Sequence, residues 1–131
     1  MAFSIPIDVR FSDLDALGHV NHAVFLTYLE HARTRWWALL LAGRPFQSEG
    51  FVMARVAVDY RKPIHLGDPV RVELRCSHLG RSSFTLDFRV LRENDGALLA
   101  EAQTVQVMVE FPAQRPRPLS PETRAWLLTQ S

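Results

Sequence analysis

Two carboxylates, a glycine and two histidines stand close together in the stretch Arg10-Phe11-Ser12-Asp13-Leu14-Asp15-Ala16-Leu17-Gly18-His19-Val20-Asn21-His22. In the run that follows, 23–42, apolar side chains recur at helical spacing, with a stripe made of Phe25, Tyr28, Leu29, Ala32, Trp36, Leu39 and Leu40. Asn21 is a strong N-cap residue, so we predict that a helix begins at His22. Gly43 and Pro45 end it, as a glycine and a following proline usually do.

The predicted helix start is a place where chemistry on a carbonyl group is possible. The first backbone N–H groups of a helix are unpaired and carry partial positive charge. Such groups bind anions, and they also stabilise an oxygen that becomes negative during a reaction. Because Asp15 lies a few residues before His22, this one segment could supply both a carboxylate and an oxyanion site.

The remainder of the chain alternates apolar and polar residues, as strands do. One strand is predicted before the loop and four after the helix, at 3–11, 52–61, 70–76, 84–90 and 97–111. Pro6 places the first strand at an edge or at a bulge, and Asn94-Asp95-Gly96 predicts a hairpin turn. Ser120-Pro121 is a good start for a short closing helix.

The order of these elements predicts the architecture. Tight connections between consecutive strands force antiparallel neighbours. We therefore expect an α+β fold in which a mostly antiparallel five-stranded sheet is wrapped around one long helix. The whole chain, 1–131, is predicted to form one domain with a sizeable core. A lone helix covers only one face of the sheet, and a closed homodimer is the simplest way to cover the rest.

Composition limits the partners and the compartment. The formal net charge is +1, which argues against nucleic acid as the main partner, because phosphate binding usually needs a concentrated basic surface. The single cysteine, Cys76, cannot form an internal disulfide and is typical of a reducing compartment. No apolar run reaches membrane-spanning length, and the N-terminal residues lack the pattern of a signal peptide. We therefore expect a cytoplasmic protein with no membrane partner.

Other interpretations of the polar residues stay open at this point. An Asp-x-Asp pair in a loop is most often turn chemistry, and Asp13 is the better candidate for a structural role through hydrogen bonds to the loop backbone. Asp15, His19 and His22 could instead bind zinc or iron, although their spacing matches no specific metal motif. Cys76 continues an apolar strand face, which is typical of an inert thiol. The sequence contains neither a Gly-x-Ser-x-Gly elbow nor a glycine-rich phosphate loop.

Several motifs together resemble one family. The most specific is the Asp-x-Asp-x-x-Gly-His-Val-Asn block at 13–21. The others are the aromatic-rich helix with Tyr28, Glu30, Ala32 and Arg33, then Tyr60-Arg61-Lys62-Pro63 with Gly67-Asp68, and Leu79-Gly80-Arg81-Ser82-Ser83. On these residues the chain resembles the hotdog-fold acyl-CoA thioesterases, specifically the 4-hydroxybenzoyl-CoA thioesterase-like family, over about residues 5 to 110.

The resemblance implies hydrolysis of an acyl thioester without a metal or organic cofactor, with coenzyme A entering only as part of the substrate. It also implies a homodimer, or a dimer of dimers (a homotetramer), with active sites at subunit interfaces. The family's catalytic aspartate falls on Asp15, as a nucleophile through an anhydride or as a base for a water. Its oxyanion donor falls on the backbone N–H of His22, whose side chain could orient water, assist proton transfer or only pack.

The remaining site candidates are substrate contacts. Gly18 and Asn21 belong to the same loop. Guanidinium and ammonium groups suit the phosphates of coenzyme A, and the candidates are Arg61, Lys62, Arg81 and Arg89, with Ser82 and Ser83 beside Arg81. For each of these basic residues, a place on a solvent-exposed face of a strand, without any contact to substrate, is at least as good an explanation.

Two further alternatives concern the activity itself. Acyl carrier protein is an alternative acyl donor to coenzyme A. The alternative function is that of a non-catalytic hotdog protein that binds acyl thioesters or a protein partner. Dehydration or hydration of acyl thioesters is disfavoured, because no second catalytic pair of His and Asp is visible. The sequence leaves the length and the aromatic or aliphatic character of the acyl group open.

Overall fold

The computed structural model describes residues 3–131. Its elements in chain order are β1 (Phe3–Ile7), a 3₁₀ turn (Phe11–Asp13), α1 (His22–Leu41), a second 3₁₀ turn (Phe46–Glu49), β2 (Phe51–Tyr60), β3 (Val70–Leu79), β4 (Ser83–Arg92), β5 (Leu98–Glu110), β6 (Arg115–Pro116) and α2 (Pro121–Leu128). Five strands form a sheet in the order β1-β3-β4-β5-β2, every pair antiparallel, and the two-residue β6 pairs with β5. This confirms the predicted α+β hotdog fold, with its long helix and its short C-terminal helix.

The first strand is shorter than predicted. β1 ends at Ile7, and the chain then turns at residues 11–13, where the N–H of Asp13 donates to the carbonyl of Arg10 at 2.9 Å. Pro6 belongs to β1, an edge strand of the sheet, and lies opposite Arg71 of β3. The edge position predicted from that proline is therefore confirmed.

α1 is capped at both ends. The side chain of Asn21 accepts the N–H of Ala23, as its prediction as N-cap requires. At the other end Ala42 adopts the left-handed conformation, with φ of 50°. The Arg44 side chain donates to the carbonyls of the last turn, Leu40 and Leu41, at 2.9 Å each. These contacts satisfy backbone groups that a helix end leaves unpaired.

At the C-terminal end of α1 the buried face includes Trp37 and excludes Leu39. Leu39 is 60% exposed, so its prediction as part of the buried stripe is wrong. Trp37 lies in the core, where the Phe84 ring stacks on it at 5.1 Å between centroids and Trp126 approaches it edge-on at 5.8 Å. Aromatic rings from the helix, the sheet and α2 therefore close this end of the core.

β2 is an edge strand whose inner face α1 leaves partly open. Within residues 3–131 it pairs only with β5, so one side of its backbone has no partner strand. Val56 and Tyr60 lie opposite the buried Thr104 and Ala100 and therefore share their face, yet they are 42% and 46% exposed. A ten-residue edge with exposed apolar side chains and no proline is a template for pairing with another strand.

Neither the location nor the domain limits follow from these elements alone. Among the described residues, no helix has both the length and the apolar character that crossing a bilayer requires. The cytoplasmic location and the single domain over 1–131 stay predictions.

Candidate active site

The loop between β1 and α1 folds back on itself. The N–H of Asp15 donates to the carbonyl of His19 at 2.7 Å, and the N–H of Asn21 donates to the carbonyl of Asp13 at 2.8 Å. Gly18 lies in the turn with φ of 81°, a conformation that glycine adopts without the strain that a side chain adds. The loop therefore holds the backbone of Asp13 against Asn21, the residue before α1, and pairs Asp15 with His19.

Asp13 anchors this loop to α1. The residue is only 2% exposed, and its carboxylate accepts hydrogen bonds from the Tyr28 hydroxyl at 2.7 Å, from the N–H of Arg10 at 3.0 Å and from the Arg10 guanidinium at 3.2 Å. Burial by itself raises the pKa of Asp13, but the hydrogen bonds from Arg10 and Tyr28 outweigh it, so this pKa lies below its usual value. Burial and the contact with Asp13 also raise the pKa of Tyr28. The structural role predicted for Asp13 is confirmed.

One carboxylate oxygen of Asp15 accepts hydrogen bonds, and the other accepts none among the described residues. Its Oδ1 accepts the N–H groups of Leu17 at 2.9 Å and His19 at 3.2 Å, which fixes the orientation of the carboxylate. Its Oδ2 has no hydrogen-bond partner in the described part of the chain, and the residue is exposed. The structure therefore presents an oriented carboxylate oxygen to solvent at the tip of the loop.

One backbone N–H at the start of α1 also has no hydrogen-bond partner among the described residues. The side chain of Asn21 accepts the N–H of Ala23 at 2.8 Å, and its carbonyl accepts the N–H of Val24 at 2.9 Å. The N–H of His22 has no hydrogen-bond partner among residues 3–131. This is the N–H that the sequence marked as an oxyanion donor, and a helix start adds partial positive charge to it.

The two groups without a partner are separated by a short stretch of chain. Asp15 pairs with His19 across the loop, and His22 lies three residues further along, at most roughly 10 Å from His19 at about 3.3 Å per extended residue.

Tyr60, the last residue of β2, contacts the first turn of α1, and His65, which follows β2, contacts the loop. The sequence indicated a site role for neither residue. The Tyr60 hydroxyl donates to the carbonyl of His22 at 2.7 Å, which holds the first turn of α1 against the end of β2. The His65 ring lies edge-on to the His19 ring, with 5.0 Å between centroids. The available signal for Tyr60 was its place as the last residue of an alternating strand, next to Arg61.

The predicted substrate contacts nearest to the loop differ in their surroundings. Gly18 and Asn21 are part of the loop itself. Arg61 follows β2, and its guanidinium pairs with the carboxylate of Glu101 at 2.9 Å. Glu101 lies between buried inward-facing residues of β5, so this pair is on the outer face of the sheet.

The other predicted contacts, Arg81, Ser82 and Ser83, lie at the opposite end of the sheet. Ser83 pairs with Val107 of β5, whereas Tyr60 pairs with Ala100 of the same strand. Seven residues of extended chain separate these two rows, roughly 23 Å. Within one chain the structure does not bring this group to the Asp15 loop.

Two alternative site chemistries find no support. Residues 3–131 contain no group of three or more His, Cys, Asp or Glu side chains that could hold a metal ion, so Asp15, His19 and His22 do not form one. Cys76 is buried, and burial raises the pKa of its thiol, which disfavours the thiolate that a nucleophile requires.

Comparison with known proteins finds relatives over most of the chain. The profile of the Thioesterase-like superfamily matches residues 9–127. The chain is 32% identical over 124 residues to 1,4-dihydroxy-2-naphthoyl-CoA hydrolase from Synechococcus elongatus, covering 91% of this chain and 90% of that protein. It is 30% identical over 123 residues to the long-chain acyl-CoA thioesterase FadM from Escherichia coli, with coverage of 90% and 91%. A solved thioesterase from Thermus thermophilus, complexed with coenzyme A and Zn, is 40% identical, with a TM-score of 0.85 and coverage of 96% and 91%.

Removing the charge of Asp13 tests the anchor. We expect Asp13→Asn to lower the free energy of unfolding at pH 7 by about 1.5–3 kcal/mol, because a buried acceptor of three hydrogen bonds loses its charge. Since folding lowers the pKa of Asp13, its stabilisation is present above the unfolded pKa and is lost as the pH falls through the folded pKa. In urea unfolding, wild type should therefore lose stability below about pH 4 more steeply than the variant.

The exposed Asp8 provides the matched control, and Asp8→Asn should keep both the stability and the acid dependence of wild type. An equal loss of stability on acidification in wild type and Asp13→Asn would contradict the role of Asp13 as an ionised anchor.

Proposed function

Because this chain belongs to the Thioesterase-like superfamily, and is a thioester hydrolase, we propose that it cleaves acyl-CoA thioesters with Asp15 and the start of α1 as its catalytic elements. The observation that carries the proposal is the presence, in one loop, of two groups without a partner among residues 3–131: Asp15 Oδ2 and the N–H of His22. The first suits a nucleophile or a base, and the second suits an oxyanion donor.

In the proposed reaction the thioester oxygen accepts a hydrogen bond from the N–H of His22, which stabilises the negative charge that forms on that oxygen. By one route, Asp15 Oδ2 attacks the carbonyl carbon, the C–S bond breaks, coenzyme A leaves as a thiolate, and water then hydrolyses the anhydride. By the other, Asp15 takes a proton from a water that attacks the carbon directly, and the C–S bond then breaks as the coenzyme A thiolate leaves. Both routes give the free acid and coenzyme A.

The names of the relatives support coenzyme A as the carrier. One is a hydrolase of a naphthoyl-CoA, another is a long-chain acyl-CoA thioesterase, and a third was solved with coenzyme A. Acyl carrier protein is the alternative donor. An assay that offers the same acyl group on both carriers decides between them.

These steps use only groups of the chain and the substrate. The N–H of His22 supplies the polarisation that a metal supplies in other hydrolases, and Asp15 supplies the nucleophile or base. The described residues also offer no cluster of three or more metal-ligating side chains. We therefore propose hydrolysis without a resident metal or organic cofactor.

We also propose that two copies pair through their β2 edges. The edge offers unpaired backbone groups and exposed apolar side chains, Val56 and Tyr60 among them. Antiparallel pairing of two β2 strands about a two-fold axis continues the sheet from one copy into the other. This pair forms the homodimer, alone or doubled into a homotetramer.

The charges on β2 favour one register of this pairing. Arg55, Ala57 and Asp59 share the outer face of the strand. When Ala57 faces Ala57 across the axis, each Arg55 lies opposite the partner's Asp59, which places opposite charges together twice. Centring the pairing one residue later would place Arg55 opposite the partner's Arg61, so like charges disfavour that register.

This dimer would unite the two groups of predicted coenzyme A contacts. Antiparallel strands place the end of β2 in one copy beside the start of β2 in the other, in the same row of the sheet as Ser83, which lies two strands further in. We propose that Gly18 and Asn21 of one copy and Arg81, Ser82 and Ser83 of its partner contact the substrate, with Arg61 at the junction.

Replacement of Asp15 tests the catalytic proposal. Asp15→Asn keeps an oxygen that can accept the N–H groups of Leu17 and His19, but it removes the negative charge. We expect a folded protein whose kcat for thiol release from acetyl-, benzoyl-, decanoyl- and palmitoyl-CoA falls at least about 100-fold on every substrate that wild type cleaves. Asp8→Asn is the control and should keep full activity.

A variant at Asp15 that is as active as wild type would overturn the assignment. Tight binding of acyl-CoA by wild type, with no thiol release across the panel, would favour the non-catalytic alternative.

Removal of metal ions tests the proposal that hydrolysis needs no resident metal. We expect dialysis against EDTA, with elemental analysis showing zinc and iron well below one atom per chain, to leave kcat and KM unchanged, since His22 and Asp15 perform the steps. Loss of activity that added Zn²⁺ restores would show that a metal participates.

Exchanging the charges on β2 tests the dimer and its register. We expect wild type to sediment as a dimer or a dimer of dimers at micromolar concentration. Arg55→Glu should raise the dimer Kd about tenfold or more, because two attractive pairs become repulsive. Combining it with Asp59→Arg should restore the wild-type Kd. Arg75→Glu, on the same face but on β3, should leave the Kd unchanged. A monomeric wild type, or an Arg55→Glu protein with an unchanged Kd, would contradict the pairing.

A further inference from the structure

A cavity of about 210 Å³ lies between the C-terminal half of α1 and the start of β2, at the end of the molecule away from the Asp15 loop. Four aromatic rings wall it: Trp37, Phe46, Phe51 and Phe111. Phe46 and Phe111 are exposed at its mouth. The Phe111 ring packs so closely over Gly50 that a Cβ at this position would overlap it, so a side chain there would require this exposed ring to shift.

The charged group in the wall of this cavity is already engaged, and the other polar side chain in the wall is the neutral Gln47. The carboxylate of Glu49 pairs with the Arg117 guanidinium and accepts the Ser120 hydroxyl at 3.1 Å. Its backbone carbonyl accepts the indole N–H of Trp37 at 3.0 Å. The cavity therefore suits an apolar group rather than a charged one, since its charge is neutralised and its walls are aromatic.

The cavity is far from the helix start of its own chain. Phe51 and Tyr60 stand at opposite ends of β2, and Tyr60 contacts His22. Nine residues of extended strand separate them, roughly 30 Å. An acyl group held at His22 of the same chain would have to follow the whole length of β2 to reach the cavity.

The cavity is much closer to the helix start of the other copy. In the register that places Ala57 opposite itself, Phe51 lies opposite the partner's residue 63, three residues beyond the partner's Tyr60. That separation is roughly 10 Å along the strand. The inner face is shared across a two-fold axis perpendicular to the sheet, so the cavity and the partner's helix start open on the same side.

We propose that this aromatic cavity binds the apolar end of an acyl group whose thioester is held by Asp15 and His22 of the partner subunit. The inference rests on the proposed function and extends it, because it assigns the acyl site to one cavity and to the opposite chain. An acetyl group falls short of the distance between the two sites, whereas a decanoyl chain spans it. The cavity therefore selects for longer apolar acyl groups.

Selectivity measurements test the assignment of the cavity. Phe111→Ala removes an exposed wall and should lower kcat/KM for decanoyl-CoA about tenfold while leaving that for acetyl-CoA unchanged. Phe46→Ala, at the other side of the mouth, should act in the same direction and serves if the first variant does not fold. Leu39→Ala removes an exposed apolar side chain of α1 elsewhere and should change neither value.

An unchanged ratio of decanoyl to acetyl activity in both cavity variants would overturn the proposal.

Mixed dimers test which chain supplies the cavity. Two differently tagged chains are expressed together, and the dimer that carries both tags is purified. In a dimer of Asp15→Asn with Phe111→Ala, the only intact Asp15 belongs to the chain with the damaged cavity. Our proposal predicts wild-type selectivity, because the intact cavity is in the partner. In a dimer of wild type with a chain carrying both changes, it predicts the selectivity of Phe111→Ala.

The opposite pair of results would show that each chain uses its own cavity and would overturn the proposal. Hydrolysis that depends on Asp15 but not on the cavity would overturn this inference alone. Absence of hydrolysis, or full activity of Asp15→Asn, would overturn the proposed function and this inference with it.

Discussion

The hydrogen bond between the Asp13 carboxylate and the Tyr28 hydroxyl holds the loop 13–21 against the helix that follows it. An ionised carboxylate with almost no exposure needs several donors, and the backbone of Arg10 supplies the second of them. Because the carbonyl of Asp13 also accepts the N–H of Asn21, the same residue fixes the approach of the chain to the helix start. The position of Asp15 relative to His22 depends on this anchor.

The division of labour between the two aspartates follows from their surroundings. Asp13 is buried and fully hydrogen-bonded, which commits it to structure. Asp15 is exposed and keeps one oxygen without a partner among the described residues, which leaves it available for chemistry. An identical pair of side chains, two residues apart, therefore takes two roles because the loop turns one inward and the other outward.

Much of the fold was predictable because local patterns decide it. Asn21 begins α1, Pro6 lies in an edge strand, and the hairpin at Asn94-Asp95-Gly96 forms with Gly96 at φ of 70°. Leu39 was misplaced because the buried side of α1 depends on rings from β4 and α2, which no local spacing reveals. Thr104 and Gln106 face the core and bond to each other at 2.7 Å, a pairing that strand alternation cannot show.

Local sequence groups the candidate site residues only within the loop. Asp15, Gly18 and Asn21 lie in the segment that ends at His22, the first residue of α1. Arg81–Ser83 were grouped with them, but the register of β4 and β5 places that turn at the far end of the sheet. Distances of this kind depend on strand length and pairing, and the proposed join across β2 depends on a second copy, so neither is written in a motif.

We propose that Asp15 and the N–H of His22 converge on one thioester carbonyl. A crystal structure of Asp15→Asn with intact decanoyl-CoA bound tests it most directly. We expect the carbonyl oxygen at about 2.9 Å from the backbone nitrogen of His22, with the side chain at position 15 facing the carbonyl carbon. A carbonyl oxygen bound away from the start of α1, or a side chain at position 15 turned away from the carbonyl, would contradict it.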